Sequence, residues 1–269
     1  MTTITPNDDH PSRYSKEVLP HIDAAVADLA ARGETLFGPP TILDPFAGTG
    51  ERFHEIAEAH GVDSIGIELE PEWAANHPRN IVGNATALPL EDASIDLVFT
   101  SPCYGNRMAD DHDAKDPCKA CDGTGWDDET APTGVDCKAC KGSGFSRRNT
   151  YKHRLGRALS AGTAANLRYV AGRRGDKYRR LHVAAWAEVH RVLHPYGRFG
   201  LNVSNYLETV GEETVEHRPT EWHLDHLVRH GFRLEAIHPV GTRRQKNGAN
   251  AETRAESEFV LWFRKDPAR

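Results

Sequence analysis

The sequence predicts an α/β fold, a doubly wound and mostly parallel sheet, on three observations. Short apolar runs alternate with amphipathic helical stretches over residues 41–100, and the rhythm returns from residue 178. The first run ends in a Gly-rich corner, Asp44-Pro45-Phe46-Ala47-Gly48-Thr49-Gly50, that leads into a helical pattern. Between the rhythmic stretches, residues 105–177 are rich in Gly, Asp, Lys and Arg and carry two Cys-x-x-Cys pairs, which reads as an insertion.

The elements follow in order. Residues 1–11 are polar and Pro-containing, a loose tail. Val18-Leu19, Ile22, Ala25-Val26 and Leu29-Ala30 make a helical stripe between Ser12 and Gly33, with the glycine as its stop. A strand at 41–46 precedes a helix at 50–60 ended by Gly61. A strand at 63–68, a short helix at 71–76 and a strand at 80–83 leading to Asn84 come next. The run Ser94–Thr100 is another buried strand and ends in Ser101-Pro102-Cys103-Tyr104-Gly105. After the insertion, Tyr178–Leu193 carries a helical stripe, and His194-Pro195-Tyr196-Gly197 turns into a strand at Arg198–Asn202. A helix at 219–230 capped by Gly231, a strand at 232–240 and a last strand at Phe259–Phe263 complete the chain. The last two strands are joined without a helix, which predicts an antiparallel hairpin at the sheet edge. Residues 1–104 and 178–269 are thus two halves of one α/β domain. Residues 105–177 are an insert, comprising a cysteine unit at 116–145 and a basic tract.

Composition narrows the class. The 269 residues suffice for one large core, or one core with a small appended module. A hydrophobic content of 38%, a charged fraction of 27% and a net charge of −6 do not describe a uniformly basic nucleic-acid binder. The average hides a division: residues 1–100 hold 17 Asp/Glu against 5 Lys/Arg, whereas residues 141–180 hold 12 Lys/Arg against the single acid Asp176. Such asymmetry points to a polyanionic partner for one face only. No apolar run approaches the roughly 18 residues of a membrane span, and the N-terminus lacks a secretory apolar core, so no membrane association is expected. Cysteines in Cys-x-x-Cys pairs suit a reducing compartment and a metal, and the expected location is cytoplasmic. No feature of the sequence points to an obligate protein partner.

The first strands form one constellation. Glycines at a strand-to-helix corner let backbone amides approach a ligand closely. Glu68 ends the second strand about 20 residues on, where a nucleotide-binding α/β unit places its ribose-binding acid. Asn84 offers both a donor and an acceptor to an adenine edge, or caps a turn. Asp44-Pro45-Phe46-Ala47-Gly48-Thr49-Gly50 resembles the cofactor loop of S-adenosylmethionine-dependent DNA amino-methyltransferases. Thr100-Ser101-Pro102-Cys103-Tyr104 resembles their catalytic Ser/Asp/Asn-Pro-Pro-Tyr tetrad, in the same order along the chain. The resemblance covers residues 12–104 and 178–265 and is nearest to the compact, phage-type orphan enzymes. It implies a Rossmann-like class I methyltransferase fold with a seven-stranded sheet. It also implies S-adenosylmethionine held by Asp44, Pro45, Phe46, Ala47, Gly48, Gly50, Glu68 and Asn84, and methyl transfer to an exocyclic amine by Ser101, Pro102 and Tyr104.

The exocyclic amine of cytosine or adenine is a poor nucleophile because its lone pair is delocalised into the ring. The Ser101 hydroxyl and the Pro102 carbonyl would accept both amino hydrogens and turn the lone pair toward the sulfonium methyl. Tyr104 would stack on a base flipped from the duplex. Serine at the head of the tetrad leans toward cytosine N4 over adenine N6. Cys103 stands where the family has a second proline, and Pro102-Cys103 superficially offers the thiolate of carbon-5 cytosine methyltransferases. That chemistry also needs a glutamate on the fifth strand, and Gly200-Leu201-Asn202-Val203 has none. An RNA base methyltransferase, and a cofactor-binding DNA-binding protein without turnover, are the alternatives.

The insert carries the other signal. Cys118-x-x-Cys121 and Cys137-x-x-Cys140 lie 15 residues apart, a spacing that suits a four-thiolate structural Zn2+ ribbon. Each pair continues as Cys-x-Gly-x-Gly, which resembles the zinc module of DnaJ chaperones; only one such unit is present, and no His-Pro-Asp signature occurs. Downstream, Arg147, Arg148, Lys152, Arg154, Arg173 and Arg174 form a basic tract expected to contact nucleic-acid phosphates, with DNA the expected partner and RNA the alternative.

Overall fold

The sheet is built outward from its apolar centre, Thr41–Asp44 (β1), whose residues are buried from Ile42 onward. The computed structural model describes residues 14–33, 38–103, 116–126, 136–146, 155, 157, 159–160, 176–210, 212–241 and 254–266. The chain divides into two compact units, Met1–Arg107 with Asn166–Arg269, and Met108–Ala165.

In the larger unit, helix α1 (Leu19–Ala31) precedes β1. Then come α2 (Glu51–Ala59), β2 (Asp63–Glu68), α3 (Pro71–Ala74), β3 (Asn80–Val82) and β4 (Ile95–Thr100). The smaller unit holds a two-stranded ladder, β5 (Asp116–Pro117) with β6 (Phe145–Ser146). The larger unit continues with α4 (Asp176–Val192), β7 (Leu193–Val210), β8 (Glu213–His217), α5 (Pro219–Arg229), β9 (Phe232–Gly241) and β10 (Arg254–Lys265).

The strand order is β3-β2-β1-β4-β7-β10-β9. The first five strands run parallel, and β10 is antiparallel to both its neighbours. This is the expected α/β architecture, a doubly wound and mostly parallel sheet. Period-2 alternation sends successive strand residues to opposite faces. Leu43, Val98, Leu201, Leu261 and Phe263 pack with Trp186 and Val189 of α4 and Leu227 of α5. Ile42, Leu97, Phe99, Val260 and Trp262 pack with Ile22 and Val26 of α1 and Phe53 and Ala57 of α2. Both faces are therefore covered, as a parallel sheet requires.

The antiparallel hairpin expected at the sheet edge is present: β9 pairs with β10, the fully buried Val260, Leu261 and Phe263 set β10 between β7 and β9, and the half-exposed β9 takes the edge. Two details depart from the sequence reading. Helix α1 begins at Leu19 and not near Ser12, because Pro20 suits a first turn and not a helix interior. The sheet has eight strands, not seven, because β7 runs on to Val210 and turns back as β8, pairing Tyr206 with His217. Strand β8 has no apolar run to announce it, since four of its five residues are exposed and backbone pairing alone defines it.

Gly200 sits where the sheet leaves no room for a side chain. An added Cβ would collide with the Phe99 ring and lie 2.7 Å from the Trp262 ring. Gly200→Ala is expected to lower the urea midpoint by an overpacking cost of about 1–3 kcal/mol without changing the slope of the transition.

Candidate active site

The corner after β1 is held by its own carboxyl. Asp44 is 1% exposed. Its Oδ1 accepts from the Phe46 amide (2.9 Å) and the Thr100 hydroxyl (2.7 Å), and its Oδ2 accepts from the Tyr14 hydroxyl (2.6 Å). Burial raises the Asp44 carboxyl to about 6, and the donors from Tyr14, Thr100 and Phe46 act in the opposite direction. The loop is then pinned to β2: the Ala47 amide donates to Ile67 O (3.0 Å), and the Gly48 amide donates to Glu68 Oε2 (2.9 Å). The other Glu68 oxygen accepts from the Glu70 amide (2.8 Å). Burial raises Glu68 to about 7, with the amides of Glu70 and Gly48 the main opposing donors.

A second layer braces the loop from behind. Asn80 Nδ2 donates to Thr49 O (3.0 Å), and Asn80 Oδ1 lies 2.8 Å from His54 Nε2. The amide oxygen can only accept, so His54 carries its hydrogen on Nε2 and accepts from the Ser64 hydroxyl at Nδ1 (2.8 Å). Burial lowers His54 to about 4. Gly66 is obligatory beside this brace, because an added Cβ would overlap Asn80 Oδ1 and lie 2.8 Å from Ala47 Cβ. Phe46 projects from the loop onto α4, stacked on His182 (centroids 6.1 Å) and edge-on to Trp186 (6.1 Å). Asn84 lies just past β3, where its Oδ1 accepts from the Thr86 amide (3.0 Å) and hydroxyl (2.9 Å).

The second corner follows β4, the parallel neighbour of β1. Ser101 is half-buried and Pro102 buried, and Cys103 is half-buried. Ser101 Oγ accepts from Asn202 Nδ2 (3.2 Å), and the same nitrogen donates to Glu258 Oε2 (3.1 Å). Tyr104 lies outside the described residues, as do Arg147, Arg148, Lys152, Arg154, Arg173 and Arg174. Tyr14, His54, Asn80, Asn202 and Glu258 were not singled out in the sequence. Only Asn80, at the head of a short strand, stands close to a motif.

The amides of Phe46, Ala47, Gly48 and Gly50 all donate within the protein, so the group at the first corner that fits an adenosyl ribose is the Glu68 carboxylate. A carboxylate has about four lone-pair positions, so Glu68 retains capacity for ribose hydroxyls while holding two amides.

In the smaller unit, the four cysteine sulfurs lie within 4.8 Å of one another and all four residues are buried. Cys118 Sγ and Cys137 Sγ are 4.0 Å apart, Cys121 Sγ and Cys140 Sγ 3.7 Å. A tetrahedral zinc with bonds of about 2.3 Å has sulfur–sulfur edges of about 3.8 Å, so the set fits Zn2+. The two knuckles close on each other: the Cys118 amide donates to Gly144 O (2.9 Å) and the Cys137 amide to Gly125 O (2.8 Å). The Gly125 amide also donates to Cys121 Sγ (3.3 Å).

No protein-family model and no curated protein matches the chain. Among solved structures, it is similar to an S-adenosylmethionine-dependent methyltransferase from Mesorhizobium loti (15% identity, 90% or more of each chain covered, at 91% and 100%, TM-score 0.43). It is also similar to the PH0226 protein from Pyrococcus horikoshii (14%, 97% and 94%, TM-score 0.47). A third is the 1,6-didemethyltoxoflavin-N1-methyltransferase of Burkholderia thailandensis, solved with S-adenosylhomocysteine (15%, 93% and 80%, TM-score 0.43). At such identities the reaction has to be read from this chain's own residues. No helix among the described residues is long and apolar enough to cross a membrane.

Two outcomes are expected. Ribose hydroxyls favour the ionised Glu68, whose carboxyl titrates at about 7. Affinity for S-adenosylmethionine, measured by calorimetry, is therefore expected to fall about tenfold from pH 8 to pH 6, and this dependence is expected to vanish in Glu68→Gln. In the full chain, a chelator is expected to expose backbone amides of 116–126 and 136–146 to hydrogen exchange while leaving β1, β4 and β7 protected.

Proposed function

We propose that the chain is an S-adenosylmethionine-dependent DNA methyltransferase acting on an exocyclic amino group, with cytosine N4 the favoured target. The observation that carries the reading is the 2.7 Å bond from Thr100 Oγ1 to Asp44 Oδ1. It joins the ends of two adjacent parallel strands, so the Gly-rich corner and the Ser-Pro corner leave the sheet at the same carboxyl edge. Ligands of open α/β sheets bind at such carboxyl ends.

S-adenosylmethionine supplies an electrophilic methyl group when bound. The Glu68 carboxylate and the Asn84 side-chain amide would orient its adenosyl part. On the acceptor side, the Ser101 hydroxyl and Pro102 carbonyl accept the two amino hydrogens, which draws the nitrogen lone pair out of conjugation. Holding the two reactants in line supplies much of the rate. The amine nitrogen would take the methyl group as its bond to the sulfonium sulfur breaks, leaving the neutral thioether S-adenosylhomocysteine, and one proton would pass to solvent. Tyr104 stacks on the extruded base. The Zn2+ ribbon is structural, since four thiolates leave no open position, and together with the basic tract it serves DNA binding.

The test is incubation of full-length protein with labelled cofactor and duplex DNA, followed by nucleoside mass spectrometry. N4-methylcytosine is expected; N6-methyladenine would move the target base, and label in RNA alone would overturn the DNA assignment. Ser101→Ala is expected to cut transfer by about 100-fold or more while cofactor affinity stays within about twofold. Cys103→Ser is expected to keep most of the activity, whereas a thiolate mechanism would lose all of it.

A further inference from the structure

We infer that Glu258, acting through Asn202, is a positioning residue that sets the hydrogen-bonding polarity of Ser101. The inference rests on the reading of Ser101 as an acceptor contact, and concerns residues that the two sequence motifs do not include.

Three adjacent strands present the chain of contacts: Ser101 follows β4, Asn202 lies on β7 and Glu258 lies on β10. Asn202 sits between Leu201 and Val203, which face the α4 layer, so its own side chain falls on the opposite face of the sheet. Val260 pairs with Asn202 and belongs to that opposite face, and alternation puts Glu258 there too. Glu258 and Asn202 are each 1% exposed. Burying a carboxyl and an amide beside Val260 and Trp262 costs several kcal/mol that an apolar pair would not. The β10–β7 register shifts between Arg254 and Glu258, an irregularity of the kind that re-aims a side chain next to a functional site.

The chemistry is directional. A carboxylate only accepts, so Glu258 requires the nitrogen of the Asn202 side chain, and not its oxygen, at the 3.1 Å contact. The same nitrogen then directs its second hydrogen to Ser101 Oγ at 3.2 Å. Ser101 is thereby fixed as an acceptor toward the protein interior. Its hydroxyl hydrogen is excluded from that side, and its remaining lone pair turns toward the amine. Without Glu258 the amide loses the acceptor that selects its nitrogen for this contact; a flipped amide would offer its oxygen to the Ser101 hydrogen, drawing it inward, and the hydroxyl would lose its set orientation.

The test compares Glu258→Met, which keeps the length of the side chain and removes the strong acceptor, with Glu258→Gln, which can keep a carbonyl oxygen in the same place. Methyl transfer to DNA, cofactor affinity by calorimetry and thermal midpoint are measured for each. Glu258→Met is expected to lower kcat about tenfold with cofactor affinity unchanged, and Glu258→Gln to restore it to within about threefold. In a Ser101→Ala background, neither change is expected to lower the residual rate further. Asn202→Asp places two carboxyl groups side by side, and kcat is expected to acquire a pH dependence that the parent lacks; this variant carries the test if Glu258→Met does not fold. The inference is overturned if Glu258→Met transfers at the parent rate, if Glu258→Gln is no better than Glu258→Met, or if the loss is the same with and without Ser101. A Ser101→Ala protein that transfers methyl at the parent rate would instead sink the proposed role of Ser101 itself.

Discussion

The hydrogen bond between Asp44 and Thr100 is the constraint on which the rest of the site depends. Parallel pairing brings β1 and β4 side by side, but it leaves their carboxyl ends to diverge into separate loops. A buried carboxyl that accepts from Thr100, Tyr14 and the Phe46 amide ties three segments at one point. The first is the stretch before α1, the second the Gly-rich corner, the third the strand that delivers Ser101. The donors offset part of the burial cost of Asp44, and the knot they form holds the Gly-rich corner and the Ser-Pro corner at the same edge of the sheet.

From that point outward, each layer is fixed by the one behind it. The loop amide at Gly48 is held by Glu68, the loop carbonyl at Thr49 by Asn80, and Asn80 by a neutral His54 that is itself oriented by Ser64. Phe46 closes the arrangement from the α4 side against His182 and Trp186. A glycine-rich turn is cheap to bend, so without these partners it would sample many shapes. With them, the turn is held in one shape and Glu68 is fixed beside it.

Much of this was legible from the sequence, and the limits have a physical basis. Strands β1, β2 and β4 announce themselves as apolar runs, and the residues at their ends fall into spaced motifs, because strand register and turn chemistry are local. The antiparallel edge hairpin was legible from two strands joined without a helix, but not which of the two enters the sheet; the burial of Val260 and Leu261 decides that. Strand β8 was missed because it is made by backbone pairing of polar residues. Tyr14, Asn202 and Glu258 were not foreseen for a different reason. Their partners lie 30, 101 and 56 residues away, and only the folded sheet makes them neighbours.

The four-cysteine unit has its own logic. Each knuckle gives its closing carbonyl to the other, Gly144 to Cys118 and Gly125 to Cys137, and each closing position admits only glycine against the opposite backbone, since a Cβ added at Gly125 would lie 2.6 Å from Gly142 O. Neither half is therefore a module in its own right. A transplant into another protein must carry residues 116–146 whole.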